Sequence, residues 1–212
     1  MPDRRAQAAL WRIAGRLAAR RKGRKPRPPA LFFLTDPNRT PDPVAAAVRL
    51  PRGTTVVFRA FGAADAVHVG LRLAALCRGR GLRLLVGADA GLAAAVGADG
   101  VHLPERLLGT AGRLRRRRPA WTLTAAAHGP AAVRRARLAG VDAVLLSPVF
   151  PSRSTSAGRP LGPLRAAAMA RLAAPTPVIA LGGVGPRSAG RLMGAGIAGL
   201  AAVDALAVAD AR

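Results

Sequence analysis

The chain has 212 residues, enough for one domain with a complete core, and sets 34 lysines and arginines against 10 aspartates and glutamates, a formal charge of +24. That charge would suit a nucleic acid, but Arg far outnumbers Lys, Tyr is absent and no aromatics interleave with the basic residues to stack bases, so no specific nucleic-acid partner is expected. A lone cysteine, Cys77, cannot form an internal disulfide, no apolar run reaches the about 18 residues that span a bilayer and no signal peptide opens the chain, so a cytoplasmic protein without a transmembrane segment is expected.

Residues 1–29 form a basic extension that ends in a Pro-rich linker at Pro26, Pro28 and Pro29. Within it Leu10, Ile13 and Leu17, with Trp11, make one apolar stripe of a helix. A basic amphipathic helix of this kind can lie on an anionic membrane. The competing expectation is a helix packed under the floor of the following domain.

From residue 30 to 212, short β-rich apolar runs alternate with longer Ala/Leu/Arg segments, the pattern of βα units around a parallel sheet. Eight strands are predicted, at 30–35, 54–59, 82–86, 100–103, 122–127, 143–146, 177–181 and 199–203. Helices are predicted between them at 63–80, 88–96, 130–139, 161–172 and 186–195. Eight strands close a barrel, and no G-x-G-x-x-G follows the first of them, so a (β/α)8 TIM barrel is preferred to an open doubly wound sheet.

Reactive side chains of such a barrel project from the C-terminal ends of the strands. Arg59 ends the second strand, where a guanidinium must meet an anion or an acidic partner such as Asp36 or Asp89. His128 follows the small residues Thr124 to Ala127, which leave its imidazole room to act as acid or base, unless the next helix N-terminus satisfies it. The polar loop from Ser147 to Gly158 brings Ser152, Arg153, Ser154 and Thr155 to the mouth, either to close over a phosphate or as a surface loop. Gly182 and Gly183, directly after the seventh strand, let backbone N–H groups approach an oxyanion. Loops after the last two strands are where these barrels hold phosphate, so the ligand is expected to be a small phosphorylated molecule.

Val96 to Leu103 (VGADGVHL), Ser147 to Pro151 (SPVFP) and Ile179 to Val184 (IALGGV), preceded by Leu31 to Asp36 (LFFLTD), resemble the thiamine phosphate synthase and TenI family over residues 30–208. The resemblance implies a (β/α)8 barrel, a thiazole phosphate site and a role in thiamine biosynthesis. Synthases of that family join a pyrimidine diphosphate to thiazole phosphate with Mg2+ assistance, releasing pyrophosphate. Their third strand typically ends Asn-Asp-Arg and their second Gln-x-Arg with a lysine nearby. This chain has Gly87-Ala88-Asp89 and Val57-Phe58-Arg59-Ala60-Phe61 there, and Thr155 at the family's loop lysine.

These departures fall on the half of the site that would neutralise pyrophosphate. The thiazole phosphate half is implied at Gly182, Gly183, Ser152, Ser154 and the backbone of Asp204, with Thr35, Arg153 and Thr155 as further substrate contacts. Asp204 stands where the family commonly has serine, so its carboxylate must point away from the phosphate or pair with an arginine. TenI-like proteins aromatise a thiazole phosphate carboxylate by moving a proton, and their histidine falls at His128. A TenI-like tautomerase with His128 and Arg59 as catalytic groups and no cofactor is therefore expected. The alternatives are a synthase rebuilding its Mg2+ site from Asp89 and Glu105, and a non-catalytic phosphate-ligand sensor. A homo-oligomer is compatible with each.

Overall fold

A computed structural model of the chain describes residues 4–19, 30–152 and 158–207. Eight parallel strands close into a barrel in chain order: β1 (Leu31–Leu34), β2 (Thr55–Phe58), β3 (Arg83–Gly87), β4 (Gly100–Leu103), β5 (Thr122–Ala127), β6 (Ala143–Leu146), β7 (Val178–Ala180) and β8 (Gly199–Ala202), with β8 paired back to β1. Helices α2 (Pro43–Val48), α3 (Ala66–Arg80), α4 (Ala90–Ala95), α5 (Ala111–Arg117), α6 (Pro130–Leu138), α7 (Gly162–Ala173) and α8 (Pro186–Ala189) connect them.

Strand alternation divides the core in two. Phe32, Leu34, Val57, Leu85, Leu145 and Ile179 point inward and fill the barrel. Leu31, Phe33, Val56, Phe58, Leu84 and Val86 point outward and pack beneath the helices. Near the mouth the inward positions shrink to Gly87, Ala126 and Ala201, so the filled interior gives way to a cavity.

The first helix, α1 (Arg4–Ala19), buries Leu10, Ala14 and Leu17. It packs against β8, β1 and α8, and Gln7 Nε2 donates to the carbonyl of Leu206 beyond β8. It therefore lies along the barrel wall and not under its floor, completing the outer layer where α8 is a single turn. Its apolar stripe is spent on the barrel and leaves little for a membrane. The linker at 20–29 lies outside the described residues.

Two short helices escape the sequence pattern. In α2 only six residues, beginning with Pro43, follow the Asp42 cap, and α5 is preceded by a 3-10 turn, Glu105–Thr110, in a run of arginines that hides its apolar face. The last helix, expected over 186–195, stops at Ala189 and passes into a 3-10 turn ahead of Gly194, whose φ of 86° ends helical geometry. Among the described residues no helix is long and apolar enough to cross a membrane.

Candidate functional site

A cavity of about 1200 Å³ opens at the C-terminal end of the barrel. Its wall takes residues from beyond the ends of all eight strands, with His128 following β5, so the site is assembled from segments far apart in sequence.

Arg59, directly after β2, lines the cavity and is anchored on β1. Its backbone N–H donates to Thr35 Oγ1 at 2.9 Å, its Nε to the Thr35 carbonyl at 2.6 Å, and one terminal nitrogen lies 3.2 Å from Asp36 Oδ2. The acidic partner is thus Asp36, not Asp89. Burial lowers the Arg59 pKa and the Asp36 charge partly restores it. Burial pushes Asp36 up, but hydrogen bonding and the charges of Arg39 and Arg59 outweigh it and leave the carboxyl below its ordinary value. Thr35, expected to touch substrate, is 2% exposed and is not part of the cavity wall. Leu34 faces the cavity, so strand alternation turns Thr35 outward, where its hydroxyl and carbonyl orient Arg59.

His128 stands exposed in the cavity wall, one residue past β5. Its Nδ1 lies 2.9 Å from the Ser147 carbonyl oxygen and 3.3 Å from Ser147 Oγ. A carbonyl oxygen only accepts, so the neutral ring carries its proton on Nδ1 and presents the Nε2 lone pair. Ser147, after β6, thereby fixes the ring in the form a proton acceptor requires. His102 of β4 is buried yet also reaches the cavity, with Nδ1 2.9 Å from Thr124 Oγ1. Burial, helped by the Arg59 charge, pushes its pKa down to about 4, so it stays neutral near pH 7.

Gly182 and Gly183 line the opposite wall with φ of 88° and 61°. A Cβ on Gly182 would come within 2.8 Å of Pro148 Cα, and one on Gly183 within 2.8 Å of Phe150 Cβ. Val149 N–H donates to the Leu181 carbonyl at 2.9 Å and Phe150 N–H to the Gly182 carbonyl at 3.0 Å, so the loops after β6 and β7 are stitched together. Ser152 and Asp204 also line the cavity. Asp204 Oδ2 lies 3.5 Å from an Arg39 nitrogen. Arg153, Ser154 and Thr155 lie outside the described residues.

The carboxylates weighed for Mg2+ do not come together. Asp89 lines the cavity but caps α4, accepting from Leu92 N–H at 2.8 Å. Glu105 is absent from the cavity wall and pairs with Arg135 of α6. Among the described residues no group of three or more His, Cys, Asp or Glu side chains comes together to hold a metal ion.

Three cavity residues were missed in the sequence. Arg39 follows β1 in a tight turn closed by Thr40 and pairs with Asp36 at 3.3 Å. The only signal was an arginine three residues beyond a strand-end aspartate. Arg106 lines the cavity after β4, in a segment weighed only for its acidic neighbour. Phe61 stands 70% exposed with φ of 50°, its ring 5.3 Å from the Arg59 guanidinium.

The sequence model described as thiamine monophosphate synthase (TMP-TENI) matches residues 31–206. The "Thiamine biosynthesis bifunctional protein ThiM/ThiE" of Symbiobacterium thermophilum is 38% identical over 141 residues, covering 66% of this chain and only 29% of that longer protein. The "Thiamine-phosphate synthase" of Chlorobium luteolum is 30% identical over 188 residues, covering 87% of this chain and 88% of its own length. Among solved structures, the thiamine phosphate pyrophosphorylase of Pyrococcus furiosus superposes with a TM-score of 0.74 at 23% identity, over 86% of this chain and 89% of that one, a likeness of fold. With its closed eight-strand barrel and a family match spanning nearly all of it, the chain belongs to the thiamine monophosphate synthase (TMP-TENI) family.

Proposed function

We propose that this protein binds a thiazole phosphate and moves a proton on it to make the ring aromatic, the TenI-like reaction. The observation that carries this reading is the 2.9 Å contact between His128 Nδ1 and the Ser147 carbonyl, which leaves Nε2 as a base at the cavity surface. His128 Nε2 takes a proton from the non-aromatic ring, and the imidazolium returns it at the other end of the conjugated system. No group leaves and no electron is transferred. Arg59 supplies a cation for the substrate carboxylate, and the Gly182–Gly183 loop with Ser152 takes the phosphate.

The second reading is thiamine-phosphate synthase, the name that several of its relatives carry. It demands neutralisation of a leaving pyrophosphate, and the groups expected for that task are replaced or turned elsewhere: Val57 to Phe61 keeps only the arginine, Gly87-Ala88-Asp89 stands where the family has Asn-Asp-Arg, and Glu105 pairs with Arg135.

Proton transfer is read directly by following deuterium uptake into a thiazole phosphate carboxylate by NMR in D2O. His128→Ala should lower turnover by about 10²- to 10⁴-fold while phosphate affinity holds. Unchanged turnover would remove His128 from the mechanism. Thiamine phosphate formed from pyrimidine diphosphate, thiazole phosphate and Mg2+ would establish the synthase instead.

A further inference from the structure

Arg39 has no role in the reading above, yet it occupies the cavity wall where the first and last strands meet. Its guanidinium lies between two carboxylates, 3.3 Å from Asp36 Oδ2 and 3.5 Å from Asp204 Oδ2. Both distances exceed the about 2.7–2.9 Å of a charge-assisted N–H···O bond. Arg39 and Asp204 are also partly exposed, at 28% and 38%, and pairs of that kind add little to stability. A loosely held guanidinium inside a cavity is a poor brace and a ready ligand for a stronger acceptor.

Asp204 sharpens the point. It follows β8, beside the β7 loop that carries Gly182 and Gly183, and its carboxylate would repel a phosphate dianion there. Asp36 Oδ2 accepts from both Arg39 and Arg59, and Asp36 is not itself part of the cavity wall. Resting on the phosphate-binding reading of the glycine loop, we propose that Arg39 is a direct ligand of the substrate phosphate, and that Asp204 is the competing anion from which the phosphate draws it. Affinity is then set by a contest between two acceptors for one guanidinium. The ligand class is a phosphomonoester dianion.

Binding of inorganic phosphate by titration calorimetry tests this, with thermal melts to confirm folding. Arg39→Gln should weaken phosphate about tenfold or more, the scale of one charged hydrogen bond, whereas Asp204→Asn should tighten it by about three- to tenfold. Opposite signs are what separate a contest from a brace: a structural ion pair would weaken binding and lower the melting temperature in both variants, and that result would overturn the proposal. The double variant isolates direct contact. It should bind more weakly than Asp204→Asn alone; equal affinity of the two would mean that Arg39 only masks Asp204. Wild-type binding indifferent to Arg39→Gln would remove Arg39 alone, while a wild type that binds no phosphate would remove the phosphate reading as well.

Discussion

Thr124 meets His102 at 2.9 Å, whereas Thr55, on the inward face of β2 opposite Phe32, has a buried Oγ1 with no hydrogen-bond partner among the described residues. The same side chain is useful in one layer of the barrel and a burden in another. An orphaned hydroxyl forfeits its hydration without recompense, and valine fills the same volume. Thr55→Val is expected to raise the unfolding free energy by about 1 kcal/mol, read as a higher urea midpoint at unchanged slope. A lower midpoint would mean that the hydroxyl is satisfied. The residue scale is also where the sequence was least legible. Arg59 and His128 could be placed because strand ends face the mouth. Thr35 could not, because a shift of one residue along a strand exchanges cavity for outer layer. Arg39 could not, because its role depends on Asp204, 165 positions away.

Among the elements, the eight strands were legible because each is a short run of β-formers bounded by turn residues, and the glycine loop because only glycine tolerates its geometry. The six-residue α2 and the arginine-rich α5 carried too little apolar periodicity to be seen. The direction in which α1 packs was equally hidden, since an apolar stripe does not say what covers it. Leu10, wholly buried between that helix and the barrel, makes the docking measurable. Leu10→Ala should cost about 2–5 kcal/mol in chemical denaturation. A cost below about 0.5 kcal/mol would mean that α1 leaves the barrel in solution and that its stripe is free for another partner.

For the whole molecule, buried His102 links stability to acidity. Its native pKa of about 4 lies below the ordinary 6.5, so between those values the unfolded chain binds the extra proton. Its contribution is complete above pH 6.5 and is lost as the pH falls towards 4, a change on the order of 2–3 kcal/mol. Asp36, held below its ordinary value, keeps its contribution until the pH is lower still. Urea unfolding at pH 5 and at pH 7.5 should show the decline, and His102→Gln should flatten it; an equal decline in the variant would assign the effect elsewhere.

The stitching of the β6 and β7 loops reaches further than local order. Ser147 orients the histidine from one loop, the proposed phosphate cradle Gly182–Gly183 sits on the other, and two backbone hydrogen bonds join these loops. On the proposed reading the protein therefore carries a ruler: the span from proton acceptor to phosphate cradle is set largely by main chain, and a side chain added at Gly182 or Gly183 would shift it. A substrate whose tether between ring and phosphate is one methylene too long could still be held by its phosphate, but its ring would stop at the wrong mark.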